Sequence, residues 1–157
     1  MRSQGGFREI FAIAAWLWLG GVLLYGAGLL GALDRSALLL LSVLIGGGFI
    51  ALVALARTSR RALAGALRAH PLLGAMLALA TITPLYLGLA PPVARDSLIH
   101  HLALPRLFLD AGRIFDVPFA IHAASPQAVD MLFLIPVGLG MDWAAAWVHL
   151  GFGILAA

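Results

Sequence analysis

The chain has 157 residues, 62% of them hydrophobic before the 18 glycines are added, and only 11% charged. A soluble domain of this length cannot hide that much apolar surface, disorder requires low hydrophobicity and high charge, and a disulfide scaffold requires cysteine, of which there is none. The net charge of +3 comes from ten arginines without a lysine; because they cluster beside apolar runs, they report membrane topology and not nucleic-acid binding.

Residues 10–33, 36–56 and 69–94 are free of charge apart from His70. Each reaches the roughly 20 residues that carry a helix across about 30 Å of hydrocarbon. Backbone groups in lipid must bond internally, so three transmembrane helices are expected near 11–32, 37–56 and 71–90. The first apolar run is too long for a signal peptide and reads as an uncleaved span. Arg2 and Arg8 precede the first span, and Arg57, Arg60, Arg61 and Arg68 follow the second. The positive-inside rule then places the N-terminus and residues 57–70 in the cytoplasm, and 91–125 outside. The arginine cluster reads first as a topology determinant and second as an anionic-lipid contact.

The stretch 91–125 departs from the rest in carrying Arg95, Asp96, His100, His101, Arg106, Asp110, Arg113, Asp116 and His122. Over 97–113 the pattern predicts an amphipathic helix on the membrane surface, with an apolar stripe of Leu98, Leu102, Pro105 and Leu109. Arg106 and Asp110 stand at i,i+4 on its polar side. Pro105 is expected to kink or split this helix and Gly112 to end it. A fourth apolar segment runs from Pro126 to Gly140, short for a straight span. It either starts near Ile121 or sits in a thinned or protein-lined place. Asp142 looks like a helix cap before a fifth apolar segment, and the chain reads as the N-terminal part of a longer membrane protein. The expected fold is all-α and multi-pass. Residues 1–90 hold three spans, 91–125 an extracytoplasmic loop with a surface helix, and 126–157 two further segments.

Several side chains in this frame can carry chemistry. Asp96 follows a helix exit and shares a helical face with His100 at i,i+4. It suits a general base, a divalent-cation ligand or simply a helix cap, and the roles are compatible. His100 and His101 are adjacent, point about 100° apart on a helix, and so suit separate tasks: acid/base or ligand, or a structural role at the headgroups. Arg95 and Arg106 suit bidentate phosphate binding or ordinary snorkelling. Asp130 interrupts the fourth apolar segment, where an ionisable group reads as functional, unless it sits at the outer interface. The pairs and triplets Gly20-Gly21 and Gly46-Gly47-Gly48 allow close helix approach.

Pro91-Pro92, the run from Arg95 through Asp96, His100-His101 and Pro105-Arg106 to Leu107, and Gly112-Arg113-Ile114 resemble the first extracytoplasmic loop of GT-C membrane glycosyltransferases. They are most similar to bacterial proteins of the dolichyl-phosphate-mannose–protein mannosyltransferase type. Pro118, Ser125-Pro126-Gln127, the run Leu132 to Gly140 and Asp142 to Leu150 fit the order that follows in that family. The resemblance covers about 60 residues. Ser97 stands where an acidic residue often accompanies the aspartate, and the 125–127 junction lacks a basic residue. Two extra helices precede the one that normally opens the fold.

The resemblance implies an inner-membrane enzyme. It would move a sugar from a polyprenyl-phosphate-linked donor to a glycan, lipid or protein acceptor at the outer face. Asp96 would be the catalytic carboxylate with His100 beside it, and Arg95 and Arg106 would hold the donor phosphate. His101 and Asp130 would be additional site residues, and a divalent cation a conceivable cofactor. The competing reading is a non-catalytic multi-pass protein, such as a transporter segment or an assembly subunit. A transporter, however, places its polar residues within spans near the midplane.

Overall fold

In the computed structural model, residues 3–90, 101–118 and 128–156 are described, and every regular element among them is helical. The first two elements follow directly from the charge-free runs. Helix α1 spans Ser3–Leu29 and α2 spans Arg35–Leu55. Both are long and apolar enough to cross a membrane; at 1.5 Å per residue, α2 alone is roughly 31 Å long. Their outer faces stay apolar and uncovered, with Leu40 70% and Val43 72% exposed. Such a surface is unfavourable in water but neutral against lipid tails.

Glycines set the α1–α2 contact. A Cβ on Gly20 would lie 3.0 Å from Ile45, and one on Gly48 2.3 Å from the Trp16 ring. The same approach lets the Trp16 indole N–H donate to the Ile45 carbonyl at 2.9 Å. Asp34 closes the turn between the helices, accepting the backbone N–H groups of Ser36 and Ala37, two of the orphan donors that a helix N-terminus leaves.

Residues 57–70, read from sequence as a cytoplasmic loop, form a helix of their own: α3, Arg57–Ala69. Helix α4, Pro71–Leu87, follows after a bend of 118°. Among the described residues, a third candidate span exists only if this bent pair is taken as one. Helix α4 alone is 17 residues, about 26 Å, and so shorter than the expected 71–90 span.

Helix α5 covers Ala103–Ala111, and its Leu104, Pro105 and Phe108 are buried. The helix is therefore packed into the protein on that side. Pro105 does not kink it. It is the third residue of the helix, where a missing N–H costs no intrahelical bond. Gly112 ends the helix as expected, with φ +65°. Its N–H donates to Leu109 and that of Arg113 to Phe108, the Schellman arrangement.

Beyond Ala128 the chain makes a 3-10 turn, Asp130–Phe133, then the short helix α6, Leu134–Gly138. These two pieces do not make one straight helix of spanning length. Met131, Leu132 and Leu134 join Leu24, Leu33, Leu38, Ile45, Leu104, Phe108 and Val117 in the main core. A second 3-10 turn, Asp142–Ala144, leads into α7, Ala145–Ala156. Helix α7 packs on α4 through Trp147, whose indole N–H points to the Leu85 carbonyl at 3.4 Å.

The contacts sort the molecule into two ends. At one end the start of α1 meets α3, where the Ser59 N–H donates to Glu9 and the Ser59 hydroxyl to the Gly6 carbonyl. At the other, the α1–α2 turn meets the segment after α5. The Leu33 N–H donates to Gly112 and the Ile114 N–H to Gly28.

Candidate functional site

Three short elements, two of them packed beside α1, bring polar groups together. His101 stands just ahead of α5, anchored by its buried neighbour Leu102. Asp130 opens the 3-10 turn. Its carboxylate lies 3.1 Å from His101 Nδ1, with about a quarter of the histidine and a third of the aspartate side chain exposed. His149, on α7, meets His101 edge-on with ring centroids 4.9 Å apart. The Phe133 ring packs on both histidines, at 5.3 and 4.9 Å. Phe133 is itself fully buried among Leu102, Val137 and Ala145. The rings are therefore seated on a dry apolar floor, while the His101–Asp130 edge stays open to solvent.

Arg106 projects from the exposed side of α5 and pairs with Asp142. This corrects two expectations. Arg106 does not take Asp110 one turn along its own helix, because Asp142 is delivered across from the turn ahead of α7. Nor does Asp142 cap that turn, since the residue at the cap position, Met141, makes no side-chain bond there; the carboxylate is turned to the guanidinium instead. Arg106 remains more than half exposed, and a guanidinium has five N–H donors, so the pair leaves it donors for an anion.

Of the residues singled out from sequence, the structure brings His101 and Asp130 together and sets Arg106 beside Asp142. Asp130 is half-buried at the start of a turn, not within a continuous membrane helix. Arg95, Asp96 and His100 lie outside the described residues. His149 was missed, although a signal existed. It is an ionisable residue within the apolar run 143–157, where such a group reads as functional just as Asp130 does.

Among the described residues, no three of His, Cys, Asp and Glu converge in a way that could hold a metal ion. What the arrangement offers is a hydrogen-bonded imidazole–carboxylate pair, a second imidazole and a part-exposed guanidinium. That set can move protons and hold an anion. No protein family, curated protein or solved structure matches the chain.

Proposed function

We propose that this chain forms the acceptor-facing part of an inner-membrane glycosyltransferase. The reaction moves a sugar from a polyprenyl-phosphate donor to a glycan, lipid or protein hydroxyl at the outer face. The observation that carries the reading is the meeting of His101, Asp130 and His149 from three separate elements, with the Arg106–Asp142 pair on the helix that follows His101. With the arginines of α3 and the N-terminus cytoplasmic by the positive-inside rule, the loop that carries His101 and Arg106 lies outside. That is where the resemblance of 91–153 to GT-C enzymes puts the chemistry.

In this reading Asp96 takes the proton of the acceptor hydroxyl as its oxygen attacks the anomeric carbon. The bond from that carbon to the phosphate oxygen breaks, and the polyprenyl phosphate leaves with the electron pair. Arg95 and Arg106 meet its charge, as guanidinia suit phosphate. His100, four residues on from Asp96, is the neighbouring acid/base group. Asp130 holds the His101 ring in a fixed orientation beside the acceptor, a positioning role.

The test is transfer from a polyprenyl-phosphate sugar in membranes carrying the protein. Asp96→Asn keeps size and capping ability, since Asn caps about as well as Asp, but removes the base. Transfer should fall by about two to four orders of magnitude at unchanged expression, with Asp110→Asn close to wild type. Wild-type rates in Asp96→Asn would remove the catalytic assignment, and equal losses in both variants would indicate damage to the loop.

A further inference from the structure

The corner between α2 and α3 is built with its own polar logic, at the end of the molecule away from the proposed transfer site. One residue, Ala56, separates the two helices. Arg60 folds back over the C-terminus of α2, its Nη2 donating to the Ala54 carbonyl at 2.6 Å and its Nε to Ala56 at 3.4 Å. These acceptors sit at the negative end of the helix dipole. On the other side, Glu9 of α1 accepts the Ser59 N–H at 2.8 Å, so the first turn of α3 is pinned to both spans.

Helix α3 is strongly two-sided. At 100° per residue, Arg57, Arg61 and Arg68 fall within about 40° of one another, and all three are exposed. Leu63 and Leu67 fall on a different side, and Leu63 is 53% exposed. The helix contains no acidic residue. Arg57, Arg60, Arg61 and Ala64 line an open cleft of about 390 Å³. A basic two-sided helix of this kind lies in the plane of the headgroups with its apolar side toward the acyl chains, and its 118° bend from α4 turns it away from the direction of that helix.

We propose that this cleft binds the phosphate of an anionic phospholipid in the adjoining leaflet, Arg57 and Arg61 closing on it while Arg60 holds the end of α2. Charge complementarity selects the occupant. Three guanidinia face the cleft, and the nearest acid of that corner, Glu9, is engaged by Ser59. Guanidinia grip phosphate oxygens in pairs, and a zwitterionic headgroup would bring its own cation into a basic cleft. The assignment is independent of the glycosyl-transfer reading.

Native mass spectrometry of the full chain in neutral detergent tests it, with phosphatidylglycerol and phosphatidylcholine of the same acyl chains. Wild type should retain phosphatidylglycerol preferentially. A juxtamembrane arginine contributes about fivefold, so Arg57→Gln and Arg61→Gln should each weaken that lipid about fivefold, and the double variant roughly twenty-five-fold. Phosphatidylcholine retention should not change. Arg113→Gln, an exposed arginine at the other end, should be silent. Should the double variant fail to fold, the lipid preference of wild type and the two single variants decides. Equal retention of both lipids by wild type, or single variants that bind like wild type, overturns the proposal. Displacement of the lipid by an equal concentration of inorganic phosphate would likewise overturn it, assigning the cleft to free phosphate.

Discussion

Gly21→Ala should separate the polar cluster from the helix that supports it. A Cβ at Gly21 would lie 1.6 Å from the Ala128 carbonyl oxygen and 2.7 Å from its carbon, where real Cβ atoms essentially never come under 3.0 Å. The obstacle is backbone, so no rotamer change relieves it, and the 128–133 segment must move off α1 by more than an ångström. Overpacking costs about 1–3 kcal/mol, and a backbone obstacle puts this site at the upper end. Replacing a helical glycine by alanine returns about 1 kcal/mol, leaving a net loss of about 2 kcal/mol. Gly47→Ala is the matched control. Nothing lies within 4 Å of its Cβ position, so it keeps the propensity gain and should stabilise by up to about 1 kcal/mol. Unfolding in mixed detergent, followed by circular dichroism, should therefore separate the two variants by about 3 kcal/mol, the sum of those effects. Ala128 is two residues from Asp130, so the displacement also reaches the site. The chain has no cysteine, which makes the pair His101→Cys with Asp130→Cys a clean reporter. A short bifunctional reagent should link the pair efficiently with Gly21 in place and poorly with alanine there. A Gly21→Ala protein as stable as wild type, with undiminished cross-linking, would refute the close approach and the anchoring of Asp130 that depends on it.

The Arg106–Asp142 pair, more than half exposed on the arginine side, should show a coupling of about 0.2–1 kcal/mol in a double-mutant cycle read by the same unfolding assay. Arg106 with Asp110 should show none. Hydrogen bonds from the N–H groups of Ala37 and Ser36 hold the Asp34 carboxyl below its ordinary value of 3.8. The lowered folded value means that its contribution is fully present above the unfolded pKa and is lost as pH falls through the folded one. Acid unfolding of wild type should show this loss below about pH 4, just past the ordinary carboxyl value. Asp34→Asn caps without titrating and should lack that increment.

The readable parts of this fold are those decided within a few neighbours. Helices α1 and α2 follow from charge-free runs of spanning length, and the end of α5 follows from Gly112, because the left-handed turn there favours a residue without Cβ. Glycine spacing also marked where helices approach, although only Gly20, Gly21 and Gly48 of the flagged positions are closely contacted. Helix α3 is hard to read because the same arginines mark topology and no side chain caps its start. The start of α5 at Ala103 was not legible, because no side chain caps it. In the site, Arg106 and Asp130 were visible as charges in unusual company, but their partners were not. Asp142 is 36 residues from Arg106 and Asp130 is 29 from His101, and no local periodicity encodes such meetings.

The two backbone hydrogen bonds joining the α1–α2 turn to the segment after α5 impose an order of assembly. Gly28 and Leu33 present a carbonyl and an N–H that stay open until Ile114 and Gly112 arrive. At a synthesis rate of about 5–20 residues per second, those partners emerge roughly 4–16 s later. The hairpin is therefore made before its partners exist, and α5 docks onto it as a late arrival. A lesion in the hairpin propagates forward to the segments that dock on it, whereas a lesion in those segments leaves the hairpin's own contact intact.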